Sequence, residues 1–205
     1  MTKIVDDKEA QRHRAKMANR KVRQDEELAG KTKEKGLLIV HTGTGKGKST
    51  AAFGLALRML GRGKRVGVVQ FIKGAWHSSE RDALANFGDQ VAWYSMGEGF
   101  TWETQDLARD IAAAERAWEK AQELMADQSF ALVILDELNI ALRYDYLDLD
   151  KVIATLGERR PDLHVVVTGR NAKQKLIDTA DLVTEMNLVK HHFAAGVKAQ
   201  AGIEF

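Results

Sequence analysis

A run rich in glycine and lysine, Thr42 to Thr50, is the part of this sequence whose residue types and spacing could do chemistry. It follows an apolar-rich segment and precedes a stretch rich in alanine and leucine, which is the order of strand, turn and helix. Glycines in such a turn can take positive φ angles, so that successive backbone N–H groups converge on phosphate oxygens. The run therefore predicts a phosphate-binding loop at the start of a helix, whose dipole also favours an anion.

The run matches the pattern Gly-x-x-x-x-Gly-Lys-Ser/Thr except at its first position, where Thr42 stands in place of glycine. We expect the Lys48 ammonium to contact the phosphates, with Lys46 as a second cation, and the Ser49 hydroxyl to bind Mg²⁺. The residues expected to contact the nucleotide are Gly43, Thr44, Gly45, Lys46, Gly47, Lys48, Ser49 and Thr50. An ordinary glycine turn between strand and helix is the alternative.

Polar residues also follow other predicted strands, at the edge where parallel sheets bind their ligands. Asp136 and Glu137 come directly after the apolar segment Ala131 to Leu135, an arrangement in which phosphate-loop proteins hold Mg²⁺ or a water molecule. The alternative for this pair is an acidic helix start favoured by the dipole. Arg170 follows the next strand and could direct its guanidinium at phosphate charge, and Arg58, on the helix after the loop, is a further candidate.

Alternating strands and helices must position these residues. Strands are predicted at 37–41, 65–71, 90–94, 131–135, 164–168 and 182–187, with helices between most of them. The helical spacing of apolar residues from Leu107 to Met125 places Trp118 in the core. We therefore predict an α/β domain at 36–205, resembling phosphate-loop NTPases of the RecA-like type, with a mostly parallel sheet flanked by helices.

Charge and composition limit the ligands, the metal sites and the cellular location that are expected for this chain. Residues 1–35 carry eleven Lys and Arg against seven Asp and Glu, whereas the whole chain has a net charge of +2, so the body is not broadly basic and a nucleic-acid groove is not expected. We expect this segment to be a helical, mobile arm. Cysteine is absent, which excludes disulfides and thiolate metal sites. Strand-length apolar runs and a charged start favour a cytoplasmic protein without a membrane span.

Two aromatic residues, Phe100 and Trp102, alternate with Thr101 in a loop that also contains Gly97 and Gly99. Burial over the core and contact with a flat apolar ligand are the two explanations. With this loop, the sequence resembles the phosphate-loop type of corrinoid (cobalamin) adenosyltransferase. The resemblance extends from about residue 36 onward, through the segments 42–50, 68–73, 99–104, 136–137, 144–147, 168–170 and 189–205.

The resemblance implies transfer of the 5′-deoxyadenosyl group of ATP to the cobalt of a reduced corrinoid, with release of triphosphate. Lys48 and Arg170 would then neutralise the triphosphate, and Arg58 would join them. Ser49, with Glu137 or Asp136, would hold Mg²⁺ or Mn²⁺. Phe100 and Trp102 would press on the lower corrin face and keep an axial ligand off cobalt, which eases its reduction.

The same resemblance implies partners. No flavin motif or cysteine is present to reduce cobalt, so a flavoprotein reductase is expected to supply the electron. A homodimer is expected from the family, and the arm at residues 1–35 would close over nucleotide and corrin. For His191 and His192 a structural or solvated role is favoured over a metal or axial-ligand role, and His41 is expected to pack under the phosphate loop.

Three other functions stay open on the residues alone. A RecA-like ATPase stimulated by nucleic acid would use Glu137 to activate water and would form ADP. A nucleoside kinase would stack a base on the aromatic loop and use a carboxylate as the base. A nucleotide-dependent binding module would show no turnover.

Overall fold

A computed structural model describes residues 6–72, 78–96 and 106–204. The chain divides into two compact units, Met1–Glu34 and Lys35–Phe205. In the first unit, helix α1 (Asp7–Ala29) begins after Asp6, whose side chain accepts a hydrogen bond from the backbone N–H of Lys8. The helix has no buried residue, because its few apolar residues are too scattered to form a continuous face. The predicted helix is confirmed, and its closing over a ligand stays a prediction.

The second unit alternates strands with helices. Its strands are β1 (Leu38–Thr42), β2 (Arg65–Gln70), β3 (Val91–Ser95), β4 (Phe130–Asp136), β5 (His164–Thr168) and β6 (Leu182–Glu185). Its helices are α2 (Lys48–Leu60), α3 (Ser79–Ala85), α4 (Leu107–Ala126), α5 (Leu138–Arg143), α6 (Leu149–Gly157) and α7 (Gln174–Thr179). Short 3₁₀ helices cover Gly88–Gln90 and His192–Ala195.

The six strands form one parallel sheet in the order β3-β2-β4-β5-β1-β6. The predicted strands and their mostly parallel arrangement are confirmed, with bounds that differ by at most two residues. The last strand ends at Glu185 instead of Asn187, because the chain then turns over the phosphate loop, where Met186 accepts a hydrogen bond from Gly45.

Both faces of the sheet are covered by helices, as expected of parallel strands made of continuous apolar residues. On one face, α2 and α3 contribute Phe53, Leu60 and Leu84 to the core. On the other face, α4, α5 and α6 contribute a larger cluster that includes Trp118. The prediction that Trp118 lies in the core is confirmed.

The strand order determines which residues meet at the carboxyl edge. In the sheet, β4 pairs with β2 and β5, and β5 also pairs with β1. The ends of these four strands, Thr42, Gln70, Asp136 and Thr168, are therefore neighbours. All four residues are buried, so the edge carries a polar layer enclosed by the helices.

Candidate functional site

The phosphate loop between β1 and α2 adopts the backbone that its glycines were expected to permit. Gly43 and Gly47 have φ angles of 95° and 101°, a region that residues with a side chain rarely adopt. A Cβ atom on Gly43 would lie 2.5 Å from the carbonyl oxygen of Met186, and the Gly45 N–H donates to the same oxygen at 2.6 Å. The chain after β6 therefore packs directly against the loop and leaves no room for side chains there.

Lys48, the first residue of α2, points its ammonium back into the loop. Its Nζ donates to the carbonyl oxygen of Gly45 at 2.6 Å, and the residue is only 7% exposed. Burial lowers the pKa of Lys48, Glu137 opposes that shift, and Arg170 and Lys46 add to it. Arg170 and Lys46 therefore lie close enough to Lys48 to repel its ammonium, and an anion bound near Lys48 would relieve that repulsion.

Asp136, at the end of β4, is the centre of a buried hydrogen-bond network. Its Oδ1 accepts from the Ser49 hydroxyl at 2.6 Å and from the Thr168 hydroxyl at 2.8 Å. Its Oδ2 accepts from Gln70 Nε2 at 3.0 Å, and the residue is 0% exposed. The carboxylate therefore links β2, β4, β5 and α2, and it fixes the orientation of Ser49.

Gln70 is itself held in a single orientation. Its Oε1 accepts from the Ser95 hydroxyl at 2.8 Å and from Trp93 Nε1 at 3.2 Å, so its Nε2 must point at Asp136. The network therefore extends to the edge strand β3.

A strained turn next to this network positions Glu137 and Arg170. Glu137 has a φ of 63° and donates its N–H to the Thr168 hydroxyl at 2.9 Å, and Gly169 has a φ of 124°. Asn139 is 1% exposed and its Nδ2 donates to the Gly169 carbonyl at 2.9 Å. Together these contacts fix the backbone from which the exposed Arg170 side chain projects, on the side of Lys48.

The oxygen donors of the site fit a magnesium ion. Mg²⁺ prefers oxygen ligands and is held in phosphate sites by one or two protein groups together with the phosphates. The Ser49 hydroxyl and the Asp136 carboxylate are adjacent at the base of the loop, and Glu137, which lies near Lys48, is partly buried. Because Asp136 already accepts from three side chains and is 0% exposed, its geometry suits the fixing of Ser49 better than direct coordination.

Other predicted residues are placed as follows. Thr44, Lys46 and Thr50 are exposed around the loop, where a bound phosphate chain can reach them. Arg58 lies exposed in the last turn of α2, ten residues after Lys48, or about 15 Å along the helix axis. The structure thus brings Arg170 to the loop but not Arg58, whose phosphate contact stays a prediction. Phe100 and Trp102 lie outside the described residues.

The histidines have structural contacts. His41 is buried below the loop, and its Nδ1 donates to the carbonyl oxygen of Lys48 at 3.1 Å, as predicted. Burial lowers its pKa, against a smaller opposing effect of that hydrogen bond. His191 accepts the backbone N–H of Phe193 at 3.1 Å, and His192 Nε2 lies 3.1 Å from the Glu204 carboxylate.

Sequence reasoning missed two residues of the site. Asn139 carries a weak signal, because it is a polar residue in the otherwise apolar first turn of α5. Glu204 is distant in sequence but forms an ion pair with Lys46 at 2.9 Å, and no local pattern indicates this pairing. Among the helices of the described ranges, none combines the length and the apolar character that crossing a bilayer requires.

Comparison with known proteins shows which family has sequences similar to this chain. Residues 34–205 match the family model described as ATP:corrinoid adenosyltransferase BtuR/CobO/CobP. A corrinoid adenosyltransferase of Sinorhizobium sp. is 56% identical over 97% of this chain and 94% of its own length. Corrinoid adenosyltransferases of Pseudomonas aeruginosa and Escherichia coli K12 are 55% and 45% identical, each over 95% of this chain and at least 96% of their own lengths.

Among solved structures, the flagellar accessory protein FlaH of Methanocaldococcus jannaschii is similar with a TM-score of 0.47 and 14% identity, covering 76% of this chain and 73% of its own.

The fold of the present chain carries a phosphate loop, and the carboxyl edge of its parallel sheet gathers cations and carboxylates around that loop. The family model spans this whole unit, including the tail that packs against the loop. The chain therefore belongs to the ATP:corrinoid adenosyltransferase family.

Proposed function

We propose that the phosphate loop, Lys48 and Arg170 bind the triphosphate of ATP while its 5′-deoxyadenosyl group is transferred to the cobalt of a reduced corrinoid. The observation that carries this proposal is the buried Lys48 ammonium inside the loop, with two further cations, Arg170 and Lys46, close enough to act on its charge. Such a group suits a ligand that carries several negative charges. Membership of the family supplies the identity of the two substrates.

The reaction forms a cobalt–carbon bond at C5′ and breaks the bond between C5′ and the phosphate oxygen. Cobalt(I) provides the electron pair for the new bond, and the electron pair of the broken bond leaves with the triphosphate. No proton is transferred in this step, so the site needs no general base. The task of the protein is to position the two substrates and to stabilise the charge of the leaving group.

Ser49 would hold Mg²⁺ or Mn²⁺, with Asp136 fixing its hydroxyl and Glu137 as the second carboxylate near the phosphates. The bound ion would neutralise part of the triphosphate charge. The strained turn at Gly169 would direct Arg170 to the same phosphates, because Asn139 fixes the Gly169 carbonyl. Ser49, Glu137 and Arg170 would therefore act on the leaving group.

Phe100 and Trp102 would form the apolar surface below the corrin. An apolar surface that excludes water and the lower base leaves cobalt(II) without axial ligands, and its reduction then breaks no axial bond. We expect Trp102→Ala to retain ATP binding and to lose most adenosylation that starts from cobalt(II). The loss should be smaller when chemically prepared cobalt(I) is supplied, and equal losses in both assays would refute this role.

Other parts of the proposal come from composition and family membership. A flavoprotein reductase would supply the electron, since the chain has no cysteine. The protein would act as a homodimer in the cytoplasm, and the arm at residues 1–35 would close over the substrates. Analytical ultracentrifugation of the full chain tests the dimer directly.

The function is tested by anaerobic incubation with Mg·ATP and cobalt(I) cobalamin. The expected products are a light-sensitive cobalt–carbon compound and inorganic triphosphate in equal amounts. Formation of ADP without an alkylated corrinoid would refute the proposal and favour an ATPase or a kinase. Lys48→Ala would weaken nucleotide binding in every one of these classes, so it serves as a control for the site and not for the reaction.

A further inference from the structure

The tail segment, residues 186–204, carries a carboxylate to the phosphate loop. Glu204 Oε2 accepts from Lys46 Nζ at 2.9 Å, and Glu204 Oε1 lies 3.1 Å from His192 Nε2. The Glu204 backbone N–H also donates to the carbonyl oxygen of Gln200 at 3.0 Å. The Glu204 carboxylate therefore forms an ion pair with Lys46, one of the cations of the proposed triphosphate site.

The Glu204 and Lys46 side chains differ in how tightly their surroundings hold them. The Glu204 side chain is 16% exposed and is held from two directions, whereas the Lys46 side chain is 59% exposed. The hydrogen bond and the charge of Lys46 hold the pKa of Glu204 below its usual value, so the carboxylate is charged at neutral pH. Lys46 is thus the partner that can leave the pair, on a long flexible side chain with three donors.

We propose that Glu204 competes with the triphosphate group for Lys46, so that the tail weakens the binding of the triphosphate product and favours its release. This inference rests on the proposed function. A phosphate chain in the loop would attract the Lys46 ammonium away from the carboxylate, because it carries more negative charge. The Glu204 carboxylate would remain next to the loop with His192 as its partner.

The expected size follows from the exposure of the pair. An ion pair with one exposed partner is weak, and its removal corresponds to about a 1.4- to 5-fold change in a dissociation constant. Glu204→Gln keeps the shape and the hydrogen-bonding capacity of the side chain and removes its charge. We therefore expect this substitution to tighten the binding of inorganic tripolyphosphate by about 1.4- to 5-fold.

The test is a double-mutant cycle measured by calorimetry with tripolyphosphate and Mg²⁺, on the full chain. The four proteins are the wild type, Glu204→Gln, Lys46→Met and the double variant. Glu158→Gln, an exposed glutamate at the end of α6, is the matched control and should bind like the wild type. Competition for Lys46 requires tightening in Glu204→Gln and no effect of the same substitution in the Lys46→Met background.

Three results would overturn the inference. Unchanged or weaker binding in Glu204→Gln would exclude competition, and an effect that persists without Lys46 would show that Lys46 is not the shared partner. A lowered urea midpoint in Glu204→Gln together with weaker binding would show that the carboxylate only stabilises the tail. Adenosylation by the wild type is measured separately, so a failure of the proposed reaction is distinguished from a failure of the competition.

Discussion

Asparagine in place of Asp136 should destabilise the protein although it has almost the same shape. The carboxylate accepts hydrogen bonds from Ser49, Thr168 and Gln70. An amide accepts with its oxygen but donates with its nitrogen. One end of the new side chain must therefore face a group that was donating to it.

Neither orientation of the amide avoids this conflict. If its nitrogen replaces Oδ2, it faces Gln70 Nε2, and Gln70 cannot turn because its Oε1 accepts from Ser95 and Trp93. If its nitrogen replaces Oδ1, the Ser49 and Thr168 hydroxyls lose the acceptor that they share. In both cases at least one buried donor is left without an acceptor.

The cost of one such donor is about 1–3 kcal/mol. The remaining hydrogen bonds also lose the charge of their acceptor, about 1 kcal/mol each, and removal of a buried charge offsets part of this loss. We expect a net loss of about 2–3 kcal/mol in the free energy of unfolding. For a chain of this size it corresponds to about 4–12 °C in Tm.

Urea unfolding followed by tryptophan fluorescence measures this change, with Asp145→Asn as the control. Asp145 is 81% exposed and has a positive φ angle of 56°, which asparagine tolerates, so its variant should lie within about 0.5 kcal/mol of the wild type. Adenosylation should fall in Asp136→Asn even at temperatures where the variant is folded, because Ser49 is no longer oriented. An Asp136→Asn variant as stable as the control would refute the accounting of donors and acceptors.

Two further predictions concern the loop and the histidine below it. Gly43→Ala should weaken ATP binding and stability, since the φ angle of Gly43 is positive and the new Cβ would meet a backbone carbonyl oxygen at 2.5 Å. Gly54→Ala is the control: a Cβ there has nothing within 4 Å in the interior of α2, so this variant should be more stable by about 0.4–1 kcal/mol. ATP titrations and urea midpoints measure both variants, and equal effects would contradict the strain at Gly43. Because burial lowers the pKa of His41, the unfolded chain binds the proton more readily, and stability should fall as pH decreases through the unfolded pKa, near 6.5, towards the lower folded one. In His41→Gln that slope, at most about 1.4 kcal/mol per pH unit for one proton, should disappear from urea unfolding measured between pH 7.5 and pH 5, and an unchanged slope would assign the dependence to other groups.

Local patterns were sufficient for much of the fold. The strand before the glycine run, the helix after it and the apolar strands that end at Asp136 and Thr168 follow from hydrophobic periodicity and from glycine spacing, which act over a few residues. The cation of the loop, Lys48, and the acidic pair at 136–137 were identified in the same way. Parallel strands then required that such residues share one edge of the sheet.

The sequence alone determined that this chain builds a phosphate loop within an α/β sheet and, through the resemblance of its motifs, to which family it belongs. Tertiary structure decided which side chains contact one another at the carboxyl edge of the sheet. It placed Asp136 under Ser49, Gln70 and Thr168, fixed the Gly169 carbonyl with Asn139, and left Arg58 at the far end of α2. These contacts depend on strand order and on side-chain orientation between residues distant in sequence. The pairing of Lys46 with Glu204, 158 positions apart, has no local signal, because its energy arises only after the sheet has brought the two segments together.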